Sequence, residues 1–249
     1  MGIIVKSKNE LSLMRQAGKI VADTIALLTE AVRPGIKTVE LDEIAFRYIT
    51  GQGAIPSFKG YNGFPASICA SINNEVVHGI PNGRVLYEGD IISLDVGAIF
   101  KGWQGDSAVT VGVGQISEPA QRLLDACQGS LAAGIANARK NNRLSDISAA
   151  VQRHAEERGF SVVRDYVGHG IGRAMHEDPQ VPNFGEPGFG PLLKKGMTLA
   201  LEPMVNAGGY RVKVMPDHWT VVTEDGGLSA HFEHTVAVTK NGVEILTKL

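Results

Sequence analysis

The sequence predicts an α+β fold assembled from two related halves. Three observations lead there. A long amphipathic stretch, a breaker, a shorter helical stretch and then strand-like runs occur in that order twice, the second set beginning at Ser117. The 249 residues are 43% hydrophobic and 20% charged, which suits a folded, water-soluble chain with a substantial core. No Ser- or Gly-rich linker or low-complexity tract separates the two sets. One domain over 1–249 is therefore expected, with pseudo-repeat halves of about 1–115 and 116–249.

In the first half, Leu11, Met14, Val21, Ile25, Leu28 and Val32 follow helical spacing, so a long helix is expected over 8–32. Arg33-Pro34-Gly35 ends it. Thr38 is the expected cap of a second helix that turns Val39, Ile44 and Tyr48 inward and stops at Gly51 and Gly53. In the second half Ser117 caps a long helix with Pro119 in its first turn, and Asn141-Asn142-Arg143 breaks it. Ser145 is the expected cap of a shorter helix bearing Ile147 and Val151, which Gly159 stops. Strand-like runs follow at 160–167, 197–201, 211–215, 219–223 and 230–238. The offset between halves is about 107 residues when Thr38 is matched with Ser145.

Bulk chemistry narrows the function. Lys plus Arg (24) nearly balance Asp plus Glu (26), a formal charge of −2, so nothing favours nucleic acid or an anionic membrane as main partner. Cys69 and Cys127 are the only cysteines; they make no disulfide framework, and a reducing compartment is expected. The first residues carry no apolar secretory core, and no apolar run reaches the ~18 residues of a membrane span. A cytoplasmic protein follows as the expectation.

Carboxylates and a histidine interrupt the apolar runs. Asp95 and Asp106 lie among Leu94, Val96, Ala108, Val109 and Val111, with a turn signal at Phe100 to Gly102 between them. A reversal there makes the two aspartates cross-strand neighbours on one face, where like charges need a shared proton or a cation. The alternative is two exposed aspartates flanking a turn. His169 stands between Gly168 and Gly170, which suits either a structural imidazole or a metal ligand. Glu202 ends the run Leu199-Ala200-Leu201, and Glu233 sits in a Val- and Thr-rich strand; either could be a surface residue on an edge strand. Together the five form an oxygen-rich set suited to hard or borderline divalent cations. So many carboxylates favour two ions sharing bridging oxygens.

The five residues and their surroundings, in this order, resemble the type I methionine aminopeptidases. The similarity runs over "GYNGFPASICASINNEVVHGIP" (60–81), "DIISLDVGAIFKGWQGDSAVTVGVG" (90–114), "VGHGIGRAMHEDPQVPN" (167–183), "LALEPMV" (199–205) and "SAHFEHTVAVT" (229–239). The resemblance implies the pita-bread fold, with two α+β halves around a dinuclear metal site. It makes Asp95 a ligand of one metal, Asp106 and Glu233 bridges, and His169 and Glu202 ligands of the other. The ions would be Co, Mn, Fe or Zn. A metal-bound hydroxide would then hydrolyse the bond after an N-terminal methionine when the second residue is small.

The resemblance also assigns catalytic work to Glu202, as proton acceptor, to His176, on the scissile carbonyl, and to His78, on the peptide beyond the first residue. Tyr61, Phe64, Cys69 and Trp219 match the walls of the methionine pocket, with Phe58 and Met175 adjoining. Phe58 stands where a small residue is common, Phe64 where Tyr is usual and Met175 where Phe is usual. His154, His218, His231 and His234 match no catalytic position and are expected to be structural or at the surface. Nascent N-termini, on or off the ribosome, are the expected partners of a monomer of the compact bacterial form, and this chain's own Met1–Gly2 bond is a candidate substrate.

Three rivals remain at this level. Prolidases and aminopeptidases P share a similar ligand set and would cleave Xaa-Pro peptides instead. A non-catalytic relative would have lost ligands and gained basic extensions. A creatinase-type enzyme has no need of clustered carboxylates.

Overall fold

The computed structural model describes residues 2–248; Met1, and with it the Met1–Gly2 bond, lies outside the described residues. The first half opens with α1 (Lys8–Ala31) and α2 (Thr38–Gly51). Short strands β1 (Ile55–Pro56), β2 (Ile68–Ile72) and β3 (Glu75–Val77) lead to a long hairpin, β4 (Ile91–Phe100) and β5 (Trp103–Gly112). Lys101 and Gly102, both at positive φ (50° and 77°), make its two-residue turn, the conformation whose twist matches the flanking strands. β4 takes β1 and β2 on one edge and β5 on the other, all antiparallel. Val21, Leu28, Leu41 and Ile49 of the two helices pack on Ile68, Leu94 and Val96 of this sheet. Each such burial contributes roughly 1.5–3 kcal/mol.

The second half repeats the order: α3 (Glu118–Asn137), α4 (Leu144–Glu156), then β6 (Ser161–Val162), β7 (Gly168–Gly170), β8 (Glu177–Val181), β9 (Thr198–Leu201), β10 (Met204–Asn206), β11 (Val212–Val214), β12 (Val221–Thr223), β13 (Ser229–His231), β14 (His234–Thr239) and β15 (Gly242–Ile245). Five of these strands form one sheet in the order β15-β14-β9-β7-β8. Leu123, Leu131, Ile147 and Val151 of α3 and α4 pack against Leu199 and Val236 in it. Smaller sheets, β13-β10-β6 and β11-β12-β3, flank it, and the latter takes β3 from the first half. Both halves therefore have a helix pair over antiparallel strands, the α+β arrangement expected.

Several local details differ from expectation, each for a tertiary reason. Lys37, not Thr38, precedes α2; the Glu40 carboxylate accepts its N–H at 2.8 Å, while the Thr38 hydroxyl pairs with Asn82. In the same way Arg143 precedes α4, with Asp146 accepting from it at 2.7 Å, and the Ser145 hydroxyl accepts from Phe189 N–H. The hydroxyls that read as caps instead pin a distant loop. Of the run at 160–167 only residues 161–162 pair as a strand. The run at 230–238 breaks at Phe232–Glu233, so that β13 joins one sheet and β14 another.

The two halves are stitched at β5. Ala108 and Glu233 exchange both backbone hydrogen bonds, Thr235 Oγ1 accepts from Asp106 N–H and donates to its carbonyl, and Ser107 Oγ donates to the Glu233 carbonyl. The edge of β5 that β4 leaves free is thereby closed by the second half.

α1 is held from both sides by close backbone approach. A methyl group added at Gly18 would lie 2.1 Å from the Leu246 carbonyl oxygen, and one at Gly105 of β5 2.8 Å from Gly18 N. Gly18→Ala should therefore destabilise the protein by about 1–3 kcal/mol through overpacking. Gly51→Ala, where a methyl group meets nothing within 4 Å, should be neutral or stabilising. Thermal unfolding of the two variants checks this; equal melting temperatures would contradict the packing of α1.

Candidate active site

The stitched interface brings the five polar interruptions together. Asp95 lies on β4 and Asp106 on β5, His169 in the middle of β7, Glu202 directly after β9, and Glu233 at the break between β13 and β14. Asp95 pairs in register with Ala108 and Asp106 with Gly97. The two aspartates therefore share one face as diagonal, not directly opposed, neighbours. Glu233, expected inside a strand, instead occupies the junction where the chain changes sheets. One ligand atom from each of Asp106, His169 and Glu233 lies within 4.8 Å of the others. His169 Nε2 is 3.3 Å from Glu202 Oε1 and 3.9 Å from Asp106 Oδ2. His169 Nδ1 donates to the Gly170 carbonyl at 2.9 Å, which leaves Nε2 with its lone pair toward the carboxylates.

A cavity of about 230 Å³ opens on this cluster, and all five residues line it together with Phe58, Tyr61, Phe64, Cys69, His78, Met175, His176 and Trp219. Every ligand, catalytic and pocket candidate named from the sequence thus lines one cavity. The apolar side is built from Phe64 and Trp219, edge to face at 5.1 Å, with Cys69 and Phe58 against them. Cys69 stands opposite Asp95 in the β2–β4 register, so the apolar slot begins next to the carboxylates. Gly97 makes room on the other flank. A Cβ there would lie 2.9 Å from the Phe58 ring and 3.1 Å from Met175 Cε. The His176 ring lies 4.3 Å from that of His169, tilted by 52°, and its Nδ1 pairs with Tyr61 Oη at 2.8 Å. His78 holds φ at +60°, a left-handed backbone that is uncommon for a non-glycine residue and recurs at functional positions.

The electrostatics are severe without a cation. Burial pushes Asp95 up to about 7. Burial first, and then the neighbouring carboxylates, push Asp106, Glu202 and Glu233 well above the usual carboxylate range. Burial holds the imidazoles down and neutral: His169 at about 4, His78 at about 4, and His176 below its usual value. Among the described residues, the buried atoms with no hydrogen-bond partner include Asp95 Oδ1, Asp106 Oδ1 and Glu233 Oε1. Buried polar atoms are normally satisfied. Partnerless carboxylate oxygens on Asp95, Asp106 and Glu233 that share a cavity with a neutral imidazole form a donor set that fits a divalent cation.

The sequence reading missed His231. It was expected to be structural or at the surface, yet it is 2% exposed and lines the cavity. Its Nε2 is 3.9 Å from Glu233 Oε2 and has no hydrogen-bond partner. Its place two residues before Glu233 was the one local signal. Tyr166 and Met204, next to the His169 and Glu202 motifs, also line the cavity. His234 bonds to Thr247 outside the cavity, and His154 packs against Gly129.

Comparison with known proteins places this geometry among relatives. Residues 12–240 match the model of "Metallopeptidase family M24". The methionine aminopeptidase of Clostridium perfringens is 59% identical over 98% of both chains, and methionine aminopeptidase 1 of Bacillus subtilis 57% identical over 99% of this chain and all of its own. The crystal structure of the methionine aminopeptidase from Rickettsia prowazekii superposes with a TM-score of 0.98 at 44% identity, over 99% of this chain and 100% of its own. The fold is the pita-bread fold of that family.

The pKa shifts fix the sign of a pH effect on the metal-free chain. The raised carboxylates keep protons that the unfolded chain has already released. The stability they contribute is lost as pH rises from the ordinary carboxylate range through about 7, the Asp95 value, and beyond. The lowered histidines act oppositely as pH falls through the ordinary imidazole value of 6.5, where unfolded imidazole takes up protons. Above about pH 7.5 imidazole is neutral in both states and the raised carboxylates set the sign, so the melting temperature in chelator should fall as pH rises. Added Mn²⁺ should raise it and flatten the slope. A melting temperature indifferent to both pH and metal would contradict the cluster.

Proposed function

The chain belongs to metallopeptidase family M24, and from that premise we propose that it removes the N-terminal methionine from nascent proteins and peptides whose second residue is small. Use of divalent metal comes with the family. One observation carries the reading: partnerless buried carboxylates and an apolar slot floored by Cys69, Phe64 and Trp219 share a single cavity. An unbranched, sulfur-tolerant side chain suits that slot.

In this reading Asp95, Asp106, His169, Glu202 and Glu233 would hold two divalent ions, drawn from Co, Mn, Fe and Zn. Asp95 and Asp106 come from the half at about 1–115 and the other three from the half at 116–249, so the catalytic unit is the single domain 1–249. Bound ions supply Lewis acidity and bring the pKa of water toward neutrality.

The chain's own groups do the rest. Glu202, which lines the cavity beside His169, accepts the proton of the attacking water and passes it to the departing amine. His176 is neutral, and the Tyr61 hydroxyl donates to its Nδ1, which leaves the Nε2–H for the scissile carbonyl as charge develops there. His78 contacts the peptide beyond the first residue. The walls formed by Phe58, Phe64, Met175 and Trp219 exclude water from the methionine side chain. Action on nascent chains as a cytoplasmic monomer belongs to the same reading. It is consistent with buried free cysteines and with the absence, among the described residues, of a helix long and apolar enough to cross a membrane.

Metal-dependent release of methionine from tripeptides varied at the second residue tests the activity. Met-Gly-Met should be cleaved and bulky or charged second residues spared, whereas preference for Xaa-Pro peptides would favour a prolidase-type enzyme. Asp106→Asn and Glu233→Gln should lose metal affinity and turnover together. His176→Ala should keep its metal while kcat falls roughly 10²- to 10³-fold, as for loss of one donor to a developing oxyanion. Normal turnover in both classes of variant would overturn the assignment.

A further inference from the structure

Met175 and His176 ride on a short turn, residues 172–176, between β7 and β8. That turn is wrapped around a single carboxylate. Glu177 Oε1 accepts the backbone N–H groups of Arg173 at 2.9 Å and Ala174 at 3.3 Å. Its other oxygen meets Lys6 Nζ at 2.5 Å, and both side chains are almost wholly buried, 7% and 2% exposed. The ammonium also donates to the Ile4 carbonyl at 3.2 Å, and Lys6 N–H bonds to the Gly196 carbonyl at 2.8 Å. Space for the pair depends on Gly172, where a Cβ would lie 2.5 Å from both Glu177 Oε1 and Lys6 Cε. On its far side the turn is tied to β5, through Gln104 N–H on the Gly172 carbonyl and the Arg173 guanidinium 4.5 Å over Trp103.

We propose that Lys6 is a positioning residue for the hydrolysis: through Glu177 it fixes the turn that presents His176 to the scissile carbonyl and Met175 to the methionine slot. A buried ion pair that loses one partner leaves an uncompensated charge. Without the Lys6 ammonium, Glu177 must turn toward water, releasing the Arg173 and Ala174 N–H groups that it now orders. His176 then loses the registration that sets it 2.8 Å from Tyr61 Oη. Misplacement by about 1 Å of a group that orients the reacting atoms can slow a reaction on the order of a hundredfold. Lys6 itself lines no part of the cavity. The proposal rests on the reading of His176 given above.

The test uses the full, metal-loaded chain and a Met-Gly-Met peptide. It compares kcat, KM, bound metal and amide hydrogen exchange in Lys6→Met, His176→Ala and the double variant. Lys6→Met should lower kcat about ten- to hundredfold, with bound metal unchanged and exchange at Arg173 and Ala174 accelerated. On the His176→Ala background the same substitution should change kcat little, because the two act through one contact. A general loss of stability would instead multiply the two effects, and that result overturns the proposal. A slow His176→Ala beside a normal Lys6→Met overturns it alone, whereas a normal His176→Ala overturns the reading of His176 and this proposal with it. If Lys6→Met fails to fold, Glu177→Gln carries the test, since it keeps the acceptor and removes the charge. A several-fold loss of kcat that disappears on the His176→Ala background supports the proposal, and a normal kcat overturns it.

Discussion

Four buried carboxylates, those of Asp95, Asp106, Glu202 and Glu233, face one cavity, and each raises the free energy of ionising its neighbours. Protonation relieves that repulsion, but it leaves a set of neutral acids with oxygens that no donor in the protein satisfies. Divalent cations relieve it more completely, and the lone pair of His169 Nε2 adds a ligand that a proton-only solution would not need. The remainder of the structure can be understood as what is required to hold these groups close together.

The holding is done by backbone, which is why it is stiff. The β4–β5 hairpin fixes the two aspartates by register, and β7, β9 and the β13–β14 junction fix His169, Glu202 and Glu233. The stitch of Asp106, Ser107 and Ala108 to Glu233 and Thr235 couples the halves at the residues that carry charge. A centre built across two halves in this way cannot form until both have folded. The substrate side is built differently. His176 and Met175 sit on a turn organised around the Glu177 carboxylate, so the ligand cluster and the carbonyl contact are supported by separate parts of the chain.

Much of this was legible in the sequence because the chemistry breaks a pattern. Carboxylates in apolar, β-branched runs stand out, and Lys101-Gly102 marks the reversal that puts Asp95 and Asp106 on one face. The turn's two-residue length, which sets the diagonal offset, was not legible. Nor was the break at Phe232–Glu233, since Val- and Thr-rich sequence continues on both sides of it. Thr38 and Ser145 read as caps because hydroxyls commonly cap helices, but Asn82 and Phe189, more than forty residues away in sequence, take those hydroxyls instead. His231 was passed over because only the fold shows that it lines the cavity beside Glu233. Lys6 and Glu177 are 171 residues apart, and no local signal could join them.

The most direct measurement of the central claim is the anomalous scattering of a crystal grown in Mn²⁺. The account predicts manganese peaks within coordination distance of Asp95, Asp106, His169, Glu202 and Glu233, with the now partnerless carboxylate oxygens turned onto them. A fully folded chain whose cluster stays free of metal at saturating Mn²⁺, with peaks elsewhere or none, would contradict it.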